Sequence, residues 1–126
     1  MKDIELWLGD CLELMNNIPD NSVDMILADL PYGTTDCSWD TVIPLDLLWV
    51  EYERIIKSNA VIALFGSEPF STKLRMSNFE AYRYDIYWEK TKASLYQHAK
   101  NRPMKIVETI SIFSKAKWGH VSQVKN

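Results

Sequence analysis

The chain is poor in glycine. Four glycines occur in 126 residues, Gly9, Gly33, Gly66 and Gly119, and no two lie close together. A tight turn that brings backbone against a cofactor usually needs such residues, because only glycine has no Cβ in the way. A glycine-rich cofactor loop is therefore absent from this stretch. Cysteine is scarce too. Cys11 and Cys37 are two thiols without a close pair, which argues against a disulfide framework and fits a reduced, cytoplasmic protein. His98, His120 and the two cysteines lack metal-ligand spacing, so no metal site is expected. No apolar run reaches the roughly 18 residues of a membrane span. The N-terminus, Met1-Lys2-Asp3-Ile4-Glu5, has no signal-peptide pattern. No membrane partner is expected.

What is present is ordinary for one globular domain over 1–126: 47% hydrophobic and 25% charged residues. The net charge of −3 is unevenly spread. Residues 1–89 carry six Lys/Arg and sixteen Asp/Glu, a net −10. Residues 90–126 carry eight Lys/Arg and one acid, Glu108, a net +7. A nucleic-acid partner would favour the basic part, since cation–phosphate contacts release counterions. An unevenly charged solvated surface is the equal alternative.

The pattern alternates strands and helices. Ile4 to Leu8 alternates and reads as a strand, and Cys11 to Ile18 as a short helix. Val23 to Ala28 is an apolar run that reads as a buried strand. Pro44 to Lys57 reads as a helix with Pro44 at its first position and Leu47, Leu48, Tyr52, Ile55 and Ile56 as its apolar stripe. Ala60 to Phe65 is a strand, Glu68 to Ser77 a helix, Tyr82 to Trp88 a strand and Val107 to Phe113 a last strand. Thr91 to Lys105 has no clear period, and the tail from Trp118 reads as loose. The expectation is an α/β fold: a mostly parallel sheet of about five strands with flanking helices.

The chemistry-bearing segment is Asp29-Leu30-Pro31-Tyr32. It follows the Val23 to Ala28 strand and opens the polar stretch Gly33 to Asp40. An acid, a backbone stiffened by proline and an aromatic ring are thus held at the end of a strand, where open α/β sheets bind ligands. Asp29-Leu30-Pro31-Tyr32 resembles the Asp-Pro-Pro-Tyr motif of the amino-methylating DNA methyltransferases, and the resemblance implies chemistry on the amino nitrogen of a base, a poor nucleophile because its lone pair is delocalised into the ring. A carboxylate and a neighbouring carbonyl can each accept one of its N–H groups. That localises the lone pair and stabilises the positive charge growing on nitrogen. A base in this position must leave the duplex and stack. Asp29 and the carbonyl of Leu30 would take the amino group, and Tyr32 offers a stacking face. A turn is the bland alternative for an acid before proline.

The resemblance to the amino-methylating DNA methyltransferases extends beyond this motif. Leu8-Gly9-Asp10-Cys11-Leu12 and Ile18 to Asp24 upstream resemble the N-terminal segment of the β-group adenine-N6 enzymes, many of them phage-borne. Tyr87-Trp88-Glu89-Lys90, Asn101-Arg102-Pro103, Glu108-Thr109-Ile110 and Phe113-Ser114-Lys115 resemble later segments in the family's order. Two departures stand out. Leu30 replaces the first proline, which leaves its carbonyl in place, and Val107 stands where the family often has His.

The resemblance implies a partial Rossmann-like sheet, S-adenosylmethionine as cofactor and double-stranded DNA as partner. It implies methyl transfer to adenine N6, favoured over cytosine N4 by Asp rather than Ser at the first motif position. The family's Phe-x-Gly-x-Gly loop, which wraps the cofactor, lies C-terminal to the region present here. The chain is thus expected to be the catalytic and target-base half, inactive alone and completed by a C-terminal half, or else a non-catalytic DNA-binding module. Loss of the other half predicts an exposed edge open to self-association. Trp39 is a candidate wall of the base pocket. Lys92, Lys100, Arg102 and Lys105, with Tyr96, Gln97, His98 and Asn101 between them, are candidates for DNA contact in a 91–105 loop. A mobile basic loop is the alternative. Asp10 could approach a cofactor; a helix N-cap is its stronger reading. Trp49, Tyr82, Tyr84, Tyr87 and Trp88 read first as packing.

Overall fold

A computed structural model describes residues 3–94, 100 and 105–116 of the chain, with backbone alone at 93, 94 and 105. A short helix α1 (Cys11–Leu14) runs into a 3-10 turn at Met15–Asn17. Strand β1 (Val23–Asp29), helix α2 (Leu45–Ile55), strand β2 (Ile56–Gly66), helix α3 (Phe70–Ser77) and strands β3 (Tyr82–Ser94) and β4 (Lys105–Phe113) follow. The sheet order is β1-β2-β4-β3. β1 and β2 are parallel, and β4 runs antiparallel to both β2 and β3.

The α/β class is as expected, with two corrections. The described sheet has four strands rather than about five, and one of its three pairings is parallel. Side-chain alternation reports which face a residue takes and carries no strand direction. The second correction concerns Ile4 to Leu8, which forms no strand. Ile4, Leu6 and Leu8 are 88%, 92% and 101% exposed. A strand needs a neighbour for its N–H and C=O groups, and no described strand lies beside this segment.

The helices pack on one face of the sheet. Leu48, Trp49, Tyr52 and Ile55 of α2 and Phe70 and Leu74 of α3 are buried with Ile62, Leu64 and Phe113 of the sheet. The rings of Trp49 and Phe113 lie 4.8 Å apart, and the Trp49 indole N–H donates to the Ser77 hydroxyl at 2.7 Å. Burial of each such side chain stabilises by about 1.5–3 kcal/mol. Leu47, expected in the apolar stripe, is exposed. Trp49 takes its place, so the buried stripe is rotated from the one the sequence suggested.

Arg54 ties this layer to the chain start. Its guanidinium donates to the carbonyls of Met15 and Ile18 at 2.8 Å each. It also donates to the carboxylates of Asp20 at 2.7 Å and Glu51 at 2.6 Å. That fixes the turn from which β1 begins.

The opposite face is less covered. Paired residues share a face of a sheet, which places Met25 and Leu27 of β1 with Phe65, Ile110 and Ile86. Met25, Leu27, Ile86 and Trp88 there are 54%, 62%, 47% and 48% exposed. β2 and the end of β4, in the middle of the sheet, are buried on both faces: Ile62, Ala63 and Leu64 of β2 and Ser111, Ile112 and Phe113 of β4 are all buried.

Candidate functional site

Asp29 is the last residue of β1 and lies at its C-terminal end, beside Phe65 of β2. The side chain is exposed. Leu30, which follows it, is buried and belongs to the core. The leucine therefore anchors the strand end from below, while its neighbours Asp29 and Tyr32 project to the site. Tyr32 is half-buried. Its ring stacks on Phe70, with centroids 5.0 Å apart and planes 20° from parallel. Its hydroxyl donates to Oδ1 of Asp29 at 2.9 Å. Burial first, then the Asp29 carboxylate, pushes the phenol well above its ordinary range, so it stays a donor at any physiological pH.

The loop after the motif is organised by one side chain. Asp40 is buried, 8% exposed. Its Oδ1 accepts from the Gly33 N–H at 2.9 Å. Its Oδ2 accepts from the N–H of Thr34 at 3.0 Å, the N–H of Thr35 at 2.8 Å and the Thr35 hydroxyl at 2.7 Å. These bonds, the Thr35 hydroxyl foremost, hold the carboxyl at about 2, below its ordinary 3.8. The Asp40 N–H closes the loop on the Cys37 carbonyl at 3.0 Å. Gly33 has φ +68°, and a Cβ there would sit 2.7 Å from Cγ2 of Val42. Only glycine fits that turn.

Asp29, Leu30, Pro31, Tyr32, Thr34, Thr35, Trp39 and Asp40 line a cavity of about 340 Å³. Sequence reasoning brought the first four together and placed Trp39 beside them; Trp39 is 74% exposed and stands at this cavity. Among the described residues the lining holds two carboxylates and no Lys, Arg or His. The Thr34 and Thr35 amides are engaged by Asp40. The cavity thus offers little to an anion and presents Asp29 as an acceptor to a group that carries N–H donors. The ion pair between Lys90 of β3 and Glu108 of β4 lies on the same sheet, and the Glu108 charge adds to the upward push on Tyr32.

The other candidates are placed elsewhere. Asp10 is the N-cap of α1, its carboxylate accepting from the Leu12 N–H at 2.8 Å. The expected 91–105 loop is partly strand, because β3 continues to Ser94 and β4 starts at Lys105. Lys92 is an exposed residue of β3, and Lys100 is exposed in a turn. Lys105 opens β4, and Arg102 falls outside the described residues. Trp49 and Tyr82 pack against Phe113, whereas Tyr84, Tyr87 and Trp88 remain substantially exposed on β3. Among the described residues no group of three His, Cys, Asp or Glu is placed to hold a metal ion. No described helix is long and apolar enough to cross a membrane.

Four residues of the site were missed from the sequence, Thr34, Thr35, Asp40 and Phe70. An acid closing a Gly-Thr-Thr turn is a recognisable local signal. Phe70 had none, being about forty residues from Asp29 in the chain and brought near only by α3.

No protein-family model matches the chain. Solved structures do. The PvuII DNA methyltransferase, cytosine-N4-specific, superposes with a TM-score of 0.62 at 15% identity, over 89% of this chain and 49% of its own. The M1.HpyAVI–SAM complex gives a TM-score of 0.62 at 21% identity, over 95% and 59%. TTHA0409 of Thermus thermophilus, complexed with S-adenosyl-L-methionine, gives 0.59 at 14%, over 92% and 57%. The fold is thus the Rossmann-like α/β fold of these proteins, and the chain spans about half their length.

Proposed function

We propose that this chain is the target-base half of a DNA amino-methyltransferase, acting on adenine N6. The observation that carries the reading is the cavity at the end of β1, with Asp29 and Tyr32 on its wall and no cation among the described residues of its lining. A flipped base is flat, neutral and bears amino N–H donors. Asp29 accepts one N–H and the carbonyl of Leu30 the other, drawing the lone pair out of the ring. The carboxylate then lies beside the positive charge that develops on nitrogen. Tyr32, braced by Phe70, and Trp39 supply aromatic surface. Likeness in fold to the PvuII DNA methyltransferase supports methyl transfer to an amino group of a DNA base and does not separate adenine from cytosine.

The described residues do not by themselves make a site for S-adenosylmethionine. The described glycines, Gly9, Gly33 and Gly66, stand apart, and the cavity offers no cation to the cofactor's carboxylate. The methyl donor is held by residues outside those described, in a complementing half that joins the sheet beside β1. Double-stranded DNA is the partner, met by the basic part from Lys90 onward. Cytosine N4 is the second substrate reading, favoured by the likeness to the cytosine-N4-specific enzyme. A non-catalytic DNA-binding module is the third, favoured by the isolated glycines.

The test uses the chain as it is. Deoxyadenosine, deoxycytidine and thymidine are titrated in turn, with binding read as quenching of the Trp39 component of fluorescence against Trp39→Phe. Deoxyadenosine should bind best and thymidine, which has no exocyclic amine, at least tenfold more weakly. Asp29→Ala should erase the difference. Equal binding of all three, or a preference that survives Asp29→Ala, would remove the amino-base reading. A preference for deoxycytidine would reassign the substrate to cytosine N4.

A further inference from the structure

We propose that Asp40 is a positioning residue that holds the base-facing wall of the cavity in place. The inference rests on the amino-base reading for the identity of the ligand, and on the structure of the 33–40 loop for everything else.

The loop has no secondary structure of its own. Its backbone amides would be free to turn toward solvent or toward a ligand. Instead the amides of Gly33, Thr34 and Thr35, consecutive in the chain, converge on the two oxygens of Asp40, and the Thr35 hydroxyl joins them. Three consecutive N–H groups around one anion form a concave nest. Here the anion is supplied internally. Charge-assisted bonds of this kind are roughly twice as strong as neutral ones, and the side chain is buried, which keeps water from competing.

The consequence for the site is positional. The nest begins at the residue after Tyr32 and ends at the residue after Trp39. Fixing it fixes both ends of the loop, and so sets the gap between the two rings that line the cavity. Trp39 keeps 74% of its surface open while its backbone is pinned by the next residue. The same bonds take up the amides that could otherwise bind an anion. The wall is therefore held in shape and closed to phosphate, as a base pocket requires.

The experiment is amide hydrogen exchange by NMR on the full chain, paired with a deoxyadenosine titration. In Asp40→Asn, exchange at Gly33, Thr34 and Thr35 should be at least tenfold faster than in the wild type. Amides of β2 at Ile62 to Leu64 should not change, which shows that the fold survives. The Trp39 indole resonance should move, and deoxyadenosine should bind at least fivefold more weakly. Thr35→Val, which removes the hydroxyl alone, should give a smaller change in the same direction, and Thr35→Ser should restore wild-type behaviour. Exchange at the three amides within twofold of wild type would overturn the proposal. Faster exchange with unchanged deoxyadenosine affinity would overturn it as well, leaving Asp40 a loop staple with no role in the pocket. If deoxyadenosine fails to bind the wild type, the amino-base reading falls, and exchange together with the Trp39 resonance still decides whether Asp40 holds the wall.

Discussion

The hydroxyl of Tyr32 donates to Oδ1 of Asp29 at 2.9 Å. One oxygen of the carboxylate is thus engaged within the motif, while the aromatic ring is held flat against Phe70. The acid and the ring are coupled through the hydroxyl: turning Tyr32 would break the bond to Asp29, while moving the carboxylate would leave the ring on Phe70.

Tyr32→Phe separates the hydrogen bond from the stack. It removes one partly exposed hydrogen bond and keeps the stack, so it should cost no more than about 1.5 kcal/mol in urea unfolding. Tyr32→Ala removes the stack as well and should cost at least twice as much. Equal losses from both variants would mean that the ring contributes nothing beyond its hydroxyl.

Asp29 is exposed at a strand end, so its removal should leave the fold intact. Far-UV circular dichroism of Asp29→Ala should match the wild type, and stability to urea should fall by no more than about 1.5 kcal/mol, since this variant loses the same hydrogen bond as Tyr32→Phe. In a preparation completed by a C-terminal half, methyl transfer should fall on the order of 100-fold or more, as for loss of a transition-state acceptor. Near wild-type turnover would take Asp29 out of the chemistry.

Asp40 predicts an acid transition in the loop. Its carboxyl is held at about 2, below its ordinary 3.8. A depressed carboxylate stabilises the folded loop above the unfolded value, and that contribution is lost as pH falls through the folded one. Trp39 fluorescence should therefore be flat from pH 7 to about 4 and change between about 4 and about 2. The change should vanish in Asp40→Asn. A Trp39 transition near pH 6 in the wild type would point to a different group.

The open face of the sheet predicts association. β1 is an edge strand, and Met25 and Leu27 on it are 54% and 62% exposed. Unpaired edges and apolar patches draw in other chains. Light scattering at tens of micromolar should show self-association. Met25→Lys with Leu27→Lys should give a monomer at a stability cost within about 0.5 kcal/mol per site, as for other surface changes. A monomeric wild type would show that the edge is closed by the chain itself.

Cofactor affinity is the last expectation. Calorimetric titration of the chain with S-adenosylmethionine should show weak binding or none, because the described glycines are isolated and cannot form a close cofactor turn. Micromolar binding would place a cofactor site within this chain.

The α/β class, the three helices near their observed places and the position of Asp29 at a strand end were all legible in the sequence. Each follows from local rules: period 3.6 or 2 in the apolar residues, and proline and glycine at the breaks. The N-cap role of Asp10 was legible too, because it depends on a neighbour two residues away. Strand direction and the fate of Ile4 to Leu8 came only with the assembled fold. Alternation in Val107 to Phe113 marks a strand and is the same whether β4 runs with β2 or against it. Ile4 to Leu8 has a strand's pattern and no described strand to pair with. Folding also brought Phe70 under Tyr32 and turned Asp40 inward onto three amides. The stack joins residues far apart in the chain, through packing that no local period encodes. The carboxylate turns inward onto amides that point at it together only once the loop has closed.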